Sequence, residues 1–286
     1  MNLLIYILAF PVIWLVSVLP FRWLYIFSDF VYLFVYKIFK YRVEVVRKNL
    51  NIAFPDKTEA EKRNIERKFY HHMCDMFLEM VKSYHMSEKE IKKRMVYTNI
   101  ELIKPYENSR SIIFLCGHYA SYEWLMSLGY FLKHKSYGLY TPITNPYFDR
   151  LVKKIRMKHQ AFLISRYVAA SEMKKHRDEN TIACYGFAAD QSPSSSKSYR
   201  REFLGKIVPV FIGAERLGKQ LNTVMVYAKI EKVKRGYYQC TFEILAENPN
   251  EMPNYQITDL FFERLNQQIY QKPEYYLWTH NRFKRM

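Results

Sequence analysis

Two side chains in the middle of the chain have the types and spacing for acid–base chemistry. His118 follows a short apolar run, Ile112 to Cys116, and Glu123 lies five residues beyond it. The β-branched run predicts a buried strand. Gly117 allows a sharp turn, and a helical pattern begins near Glu123. A histidine at a strand end and a carboxylate at the start of the next helix make a candidate general base and the group that orients it. A second apolar run, Thr181 to Ala189, ends in Asp190-Gln191. It delivers polar residues to the end of another buried strand, where open α/β sheets place their ligands. By itself Asp190 reads equally well as a turn or cap residue.

Other chemistries find little support. Gly is scarce at 8 residues, and there is no G-x-G-x-x-G or Walker pattern, which argues against a nucleotide-binding enzyme. Cys74, Cys116, Cys184 and Cys240 are far apart, form no C-x-x-C pair, and lie mostly in apolar runs, as buried small hydrophobes do. His71 and His72 are adjacent on an expected helix and so do not share a face, which makes a metal pair there improbable. No metal and no bound cofactor is implied. The net charge of +17, from 44 Lys and Arg against 27 Asp and Glu, calls for an acidic partner. The basic residues are dispersed and accompany no recognition motif, so nucleic acid is not the partner expected.

The elements that must position these residues follow from patterning. Leu3 to Leu19 carries no charge and would make a helix of roughly 26 Å, near the lower limit for spanning a bilayer. Phe21 to Phe39 is aromatic and aliphatic but includes Arg22, Asp29 and Lys37, as an interfacial or hairpin partner would. Lys40, Arg42, Arg47 and Lys48 come after the apolar span and none before it, which orients the remainder toward the cytoplasm. The alternative is a buried N-terminal helix pair. A boundary is drawn near residue 45, with residues 1–45 as a membrane anchor and 46–286 as the catalytic domain.

Thr58 and Glu61 form a capping box for a long amphipathic helix reaching about His85, and a polar helix covers Ser87 to Met95. Gly138 to Ile143 predicts a strand, Phe148 to His159 a basic helix, Ala170 to Arg177 a helix, and Ser192 to Tyr199 an exposed Ser-rich loop. A strand over Ile207 to Ile212, a helix over Gly213 to Gln220, a hairpin of Thr223 to Ile230 with Tyr237 to Leu245, and a last helix over Tyr255 to Gln271 follow. Helices alternating with short buried strands indicate an α/β fold, a mixed central sheet flanked by helices, with an N-terminal membrane-associated helical segment.

Gly117-His118-Tyr119-Ala120-Ser121-Tyr122-Glu123 resembles the His-x4-Asp/Glu block of the lysophospholipid acyltransferase superfamily, and more narrowly of the late (lauroyl and myristoyl) acyltransferases of lipid A biosynthesis. Four further blocks occur in the family's order. These are Arg47-Lys48-Asn49-Leu50 with Phe54-Pro55, Tyr140 to Pro146, Ala189-Asp190-Gln191, and Leu277 to Lys284. Thr141 stands where many enterobacterial members have Arg, and no F-P-E-G-type block of the glycerolipid branch is present.

The resemblance implies acyl transfer to a lipid hydroxyl, with His118 removing the proton and Glu123 holding the ring. An imidazole suits the task because its pKa lies near operating pH. No side-chain nucleophile is required, and no G-x-S-x-G elbow is present. Backbone N–H groups near the helix start are the expected oxyanion donors. Tyr140, Asn145, Asp190, Gln191 and Arg282 become candidate substrate-binding residues, although Trp278 and Arg282 read first as ties of the C-terminus onto the sheet. The implied donor is an acyl carrier protein thioester, with acyl-CoA as the alternative. The implied acceptor is an anionic glycolipid, a lipid A precursor, at the bacterial inner membrane with the catalytic domain facing the cytoplasm. A lysophospholipid or amino-acid-based lipid acceptor is the alternative.

Overall fold

The computed structural model describes residues 1–193, 198–284 and 286. In chain order it contains α1 (Asn2–Val18), α2 (Phe21–Tyr32, continued by a π-helical turn over Leu33–Ile38), α3 (Val43–Ala53), α4 (Glu59–Lys82), α5 (Glu88–Arg94) and β1 (Met95–Tyr97). Next come β2 (Ile112–Cys116), a 3-10 helix over Tyr122–Tyr130, β3 (Lys135–Tyr140), α6 (Pro146–Arg156), β4 (Ala161–Ser165), α7 (Ala169–Asp178) and β5 (Ala183–Ala188). The chain closes with β6 (Arg200–Phe203), β7 (Lys206–Pro209), α8 (Gly213–Leu221), β8 (Val224–Lys234), β9 (Tyr237–Ala246) and α9 (Gln256–Gln271).

Seven strands form one sheet in the order β1-β9-β8-β2-β5-β3-β4, and β6 pairs with β7 in a small ribbon. Only β8 and β9 run antiparallel in the large sheet, across a hairpin, so the sheet is mixed as expected. β2 lies at its centre. All five of its residues are buried, which is what a parallel strand covered on both faces requires of an apolar run. β2 pairs in parallel with β5 on one side and β8 on the other. The chain leaving β2 travels to β3 on one flank, and the chain leaving β5 travels to β8 on the other. The crevice at the carboxyl ends of β2 and β5 is therefore a switch point of the kind that holds ligands in open α/β sheets.

The N-terminal helices pack on α4. Leu24 and Tyr32 are buried, Ser28 donates to Asp75 at 2.8 Å, and Tyr25 donates to Glu79 at 2.9 Å. The Lys82 ammonium bonds the Ser17 carbonyl at 2.9 Å. Arg235, in the β8–β9 turn, clasps both Asp75 and Asp29, so sheet, α4 and α2 are joined by ion pairs. The Thr58–Glu61 capping box forms and starts α4.

No helix among the described residues is long and apolar enough to cross a membrane. The spanning form of the expected N-terminal segment thus finds no support. What α1 presents is an outward apolar face that includes Leu4, Leu8, Trp14 and Leu15, with Leu8 69% exposed.

Several elements differ from the sequence expectation. The segment after His118 is a 3-10 helix, not an α-helix. It presses so closely on the start of β4 that a Cβ at Gly129 would lie 2.0 Å from the Gln160 carbonyl oxygen. β1, β4 and β6 have no counterpart among the expected strands. They are short, and β1 and β4 are edge strands, where the pattern is weakest. Of the expected Ser-rich loop, residues 194–197 lie outside the described residues.

Candidate active site

The site follows from strand register. Cys116 is paired with Ala188 across β2 and β5, and the Ala189 amide continues the ladder by donating to the Cys116 carbonyl. Two residues past Cys116 is His118, and two residues past Ala188 is Asp190. The sheet therefore sets the two side chains opposite one another at its carboxyl edge. His118 Nδ1 lies 2.6 Å from Asp190 Oδ1, and the same oxygen accepts the His118 backbone N–H at 3.1 Å. Asp190 is 2% exposed and the His118 side chain 16% exposed. The Tyr276 hydroxyl also donates to Asp190, and the Tyr122 ring stands edge-on to the imidazole with ring centres 4.9 Å apart.

These contacts decide the protonation states. Burial alone would lower the imidazole pKa, but the charge of Asp190 and its hydrogen bond outweigh it and hold His118 above the ordinary value. Burial would raise Asp190, yet the charge and N–H of His118 and the Tyr276 hydroxyl keep it below the usual carboxylate range. Asp190 thus stays ionised, accepts from Nδ1–H, and fixes the tautomer in which Nε2 carries the lone pair. That lone pair faces the Gln191 amide nitrogen at 3.3 Å.

The expectation that Glu123 orients His118 is not met in this geometry. Glu123 is 7% exposed and takes Arg156 in a two-pronged ion pair, Nε to Oε2 at 2.7 Å and Nη2 to Oε1. The cause is local. Ala120 sits in the left-handed region at φ 50°, which breaks any helical phase from His118 to Glu123 and turns the carboxylate toward the end of α6. The Glu123 charge still acts on His118 through space, in the same direction as that of Asp190.

The remaining candidates divide. Gln191 is at the imidazole. Arg282 is 1% exposed, and its Nη1 donates to Ser192 Oγ at 2.9 Å and to the Pro209 carbonyl at 3.1 Å. Ser192 Oγ in turn donates to the Arg282 carbonyl. Arg282 therefore clamps the segment that carries Asp190 and Gln191, packed over Phe203. Trp278 is buried, and its indole N–H donates to the Pro273 carbonyl at 2.7 Å. Asn145 caps α6, accepting the Tyr147 amide at 3.0 Å, and Tyr140 at the end of β3 lies under the Lys153 ammonium. No hydrogen bond, ion pair or ring contact among the described residues joins Tyr140 or Asn145 to His118. This group gathers at the start of α6, which ends on the Glu123 partner, Arg156.

Tyr276 and Arg156 are the site residues that sequence reasoning missed. Tyr276 lies two positions before Trp278, just outside the terminal block. Arg156 is one of several cations on a helix that reads as solvated, and nothing in its spacing marks it as the one facing inward.

Residues 2–285 match the family model described as bacterial lipid A biosynthesis acyltransferase. The chain is similar to the lipid A biosynthesis lauroyltransferase of Escherichia coli strain K12, 22% identical over 279 residues, covering 97% of this chain and 90% of that protein. It is also similar to the lipid A biosynthesis acyltransferase of Haemophilus influenzae, 27% identical over 258 residues, covering 87% of this chain and 79% of that protein.

Proposed function

The chain belongs to the bacterial lipid A biosynthesis acyltransferase family and is an acyltransferase; from that premise we propose that it transfers a fatty acyl group from a thioester to a hydroxyl of a lipid A precursor, with His118 as general base and Asp190 as the residue that orients it. The observation that carries this reading is the 2.6 Å pairing of His118 Nδ1 with a buried, ionised Asp190, which leaves Nε2 as the basic atom.

The acceptor hydroxyl gives its proton to Nε2 as its oxygen attacks the thioester carbonyl, forming the C–O bond and a tetrahedral oxyanion. The oxyanion collapses, the C–S bond breaks, and the leaving thiolate takes the proton back from the imidazolium. Asp190 stabilises that imidazolium without itself accepting a proton, as the acid of a catalytic triad does. Glu123 packs the 3-10 helix beside the base, and the effect of its charge on the imidazole is opposed by that of Arg156.

An acyl carrier protein is the donor this reading favours. Such donors are acidic, and a net charge of +17 speeds an encounter with them. The same charge suits an anionic acceptor in the cytoplasmic leaflet of an inner membrane. The outward apolar face of α1, with Trp14, would seat the protein in that leaflet's interface without crossing it. The test supplies purified protein with acyl carrier protein thioester and, in separate reactions, a lipid A precursor or lysophosphatidic acid, and follows the products by mass. Acylation of the lipid A precursor is expected. Acylation of the lysolipid alone would replace it with the lysophospholipid reading.

A further inference from the structure

A general base accounts for half of an acyl transfer. The other half is a donor for the oxygen that becomes negative, aimed at it before the reaction begins. The backbone amides nearest His118 are already spent. His118 N–H donates to Asp190, Tyr119 N–H to the Gly117 carbonyl, and Ala120 N–H to the Tyr275 carbonyl at 2.9 Å. These three amides are therefore closed to the oxyanion; the start of the 3-10 helix, where backbone donors were expected, comes after them. Three side-chain donor atoms without a partner among the described residues, Ser121 Oγ and the Nε and Nη2 of Arg282, are buried from solvent.

Gln191 is placed differently. Its side chain is half-buried, and its only hydrogen bond among the described residues is the 3.3 Å contact with His118 Nε2. Because Nδ1–H is committed to Asp190, Nε2 is an acceptor, so the group facing it must be the amide NH2 and not the amide oxygen. That NH2 stands where the substrate hydroxyl must come, about 3 Å from the base. When the hydroxyl takes over Nε2, the amide N–H is released beside the reacting carbon. The residues on either side are anchored through their side chains: Asp190 by His118 and Tyr276, and Ser192 by Arg282. The released amide is therefore carried by a segment fixed at both of its neighbours.

We infer that Gln191 is the carbonyl-oxygen donor of the transfer: it caps the resting base through its amide N–H and hands that N–H to the thioester oxygen once the acceptor hydroxyl is bound. The inference rests on the acyl-transfer reading above and adds a second catalytic residue to it. In the step itself Gln191 neither gains nor loses a proton. It hydrogen-bonds the oxygen while the C–O bond forms and while the C–S bond breaks.

The test compares Gln191→Ala and the near-isosteric Gln191→Glu with the unaltered protein and with His118→Ala. Lauroyl acyl carrier protein and a lipid A precursor are the substrates, and kcat, KM and the pH profile of kcat/KM are recorded. Loss of an oxyanion donor lowers kcat by about 10²- to 10³-fold with KM for the thioester little changed. The acid limb of Gln191→Ala should also move to higher pH, because the neutral imidazole loses a donor that favoured it. Gln191→Glu, which puts an acceptor where the donor was, should be at least as slow. A kcat within about threefold of the unaltered protein for Gln191→Ala, with His118→Ala inactive, would overturn the inference and leave Gln191 a cap alone, since a true donor is worth far more. Persistent transfer by His118→Ala would instead overturn His118 as the general base, the assignment on which the inference rests.

Discussion

Replacing Asp190 by Asn keeps the shape of the side chain and removes its charge. In the resting protein this forfeits a charge-assisted hydrogen bond, a contact of about 1.5–3 kcal/mol in a typical protein. The larger effect comes in the transition state, where the ring becomes an imidazolium. Unit charges about 4 Å apart at an effective dielectric constant of about 20 attract by about 4 kcal/mol. A barrier raised by about 4 kcal/mol slows the reaction by about 10³-fold. Asn can also accommodate the other tautomer, with the proton on Nε2, which cannot act as a base at all.

The pH dependence separates this from loss of structure. In the unaltered protein Asp190 holds the imidazole above its ordinary pKa, so the base is lost as pH falls through a midpoint above about 6.5. In Asp190→Asn burial acts unopposed by that charge, and the midpoint must move to lower pH. The assay is kcat/KM for transfer from an acyl carrier protein thioester across pH 5 to 9, with circular dichroism as the check on folding. A variant that keeps more than about a tenth of the rate, where about 10³-fold is expected, would refute the reasoning. So would an acid limb that moves upward.

Glu123 and Arg156 are expected to matter chiefly through the fold. Glu123→Gln leaves a partly buried guanidinium without its partner and should lower unfolding free energy by about 2 kcal/mol, most of it recovered in Glu123→Gln with Arg156→Met. Denaturant midpoints of the two single variants and the double variant check this, and an unchanged midpoint for Glu123→Gln would contradict it. On the membrane side, Leu8→Glu removes an exposed leucine whose burial is worth about 1.5–3 kcal/mol. Binding to anionic vesicles in a flotation assay should weaken by tenfold or more, at about 1.4 kcal/mol per tenfold. Equal binding would mean that α1 does not meet the bilayer.

What could be read in the sequence was whatever is encoded locally. β2 is legible because five apolar residues in a row need both faces covered, and the start of α4 because Thr58 and Glu61 satisfy each other within one turn. The β8–β9 hairpin is legible from two alternating runs meeting at a glycine with φ 74°. β4 was not, since Ala161–Ser165 is a short edge strand with Phe162 facing outward. The site was half legible for the same reason. His118, Asp190 and Gln191 each announce themselves at a strand end, but their meeting depends on the parallel register of β2 with β5, across 72 residues of chain. The five-residue spacing of His118 and Glu123 suggested the nearer partner. A left-handed Ala120 and a 3-10 helix, neither marked by composition, send that carboxylate to Arg156 instead. Conversely, the exposed leucines of α1 read as a membrane span in one dimension, while Ser17 and Lys82 tie the end of the helix to α4.

The most direct measurement is single-turnover transfer of a labelled lauroyl group from acyl carrier protein to a lipid A precursor at pH 8, by the unaltered protein and by His118→Ala with its fold intact. A positioned general base contributes about 10²- to 10⁴-fold, so the expected result is acylated lipid from the unaltered protein and a rate lower by that factor from the variant. Transfer by His118→Ala at a rate near that of the unaltered protein would contradict the assignment of His118 as the base.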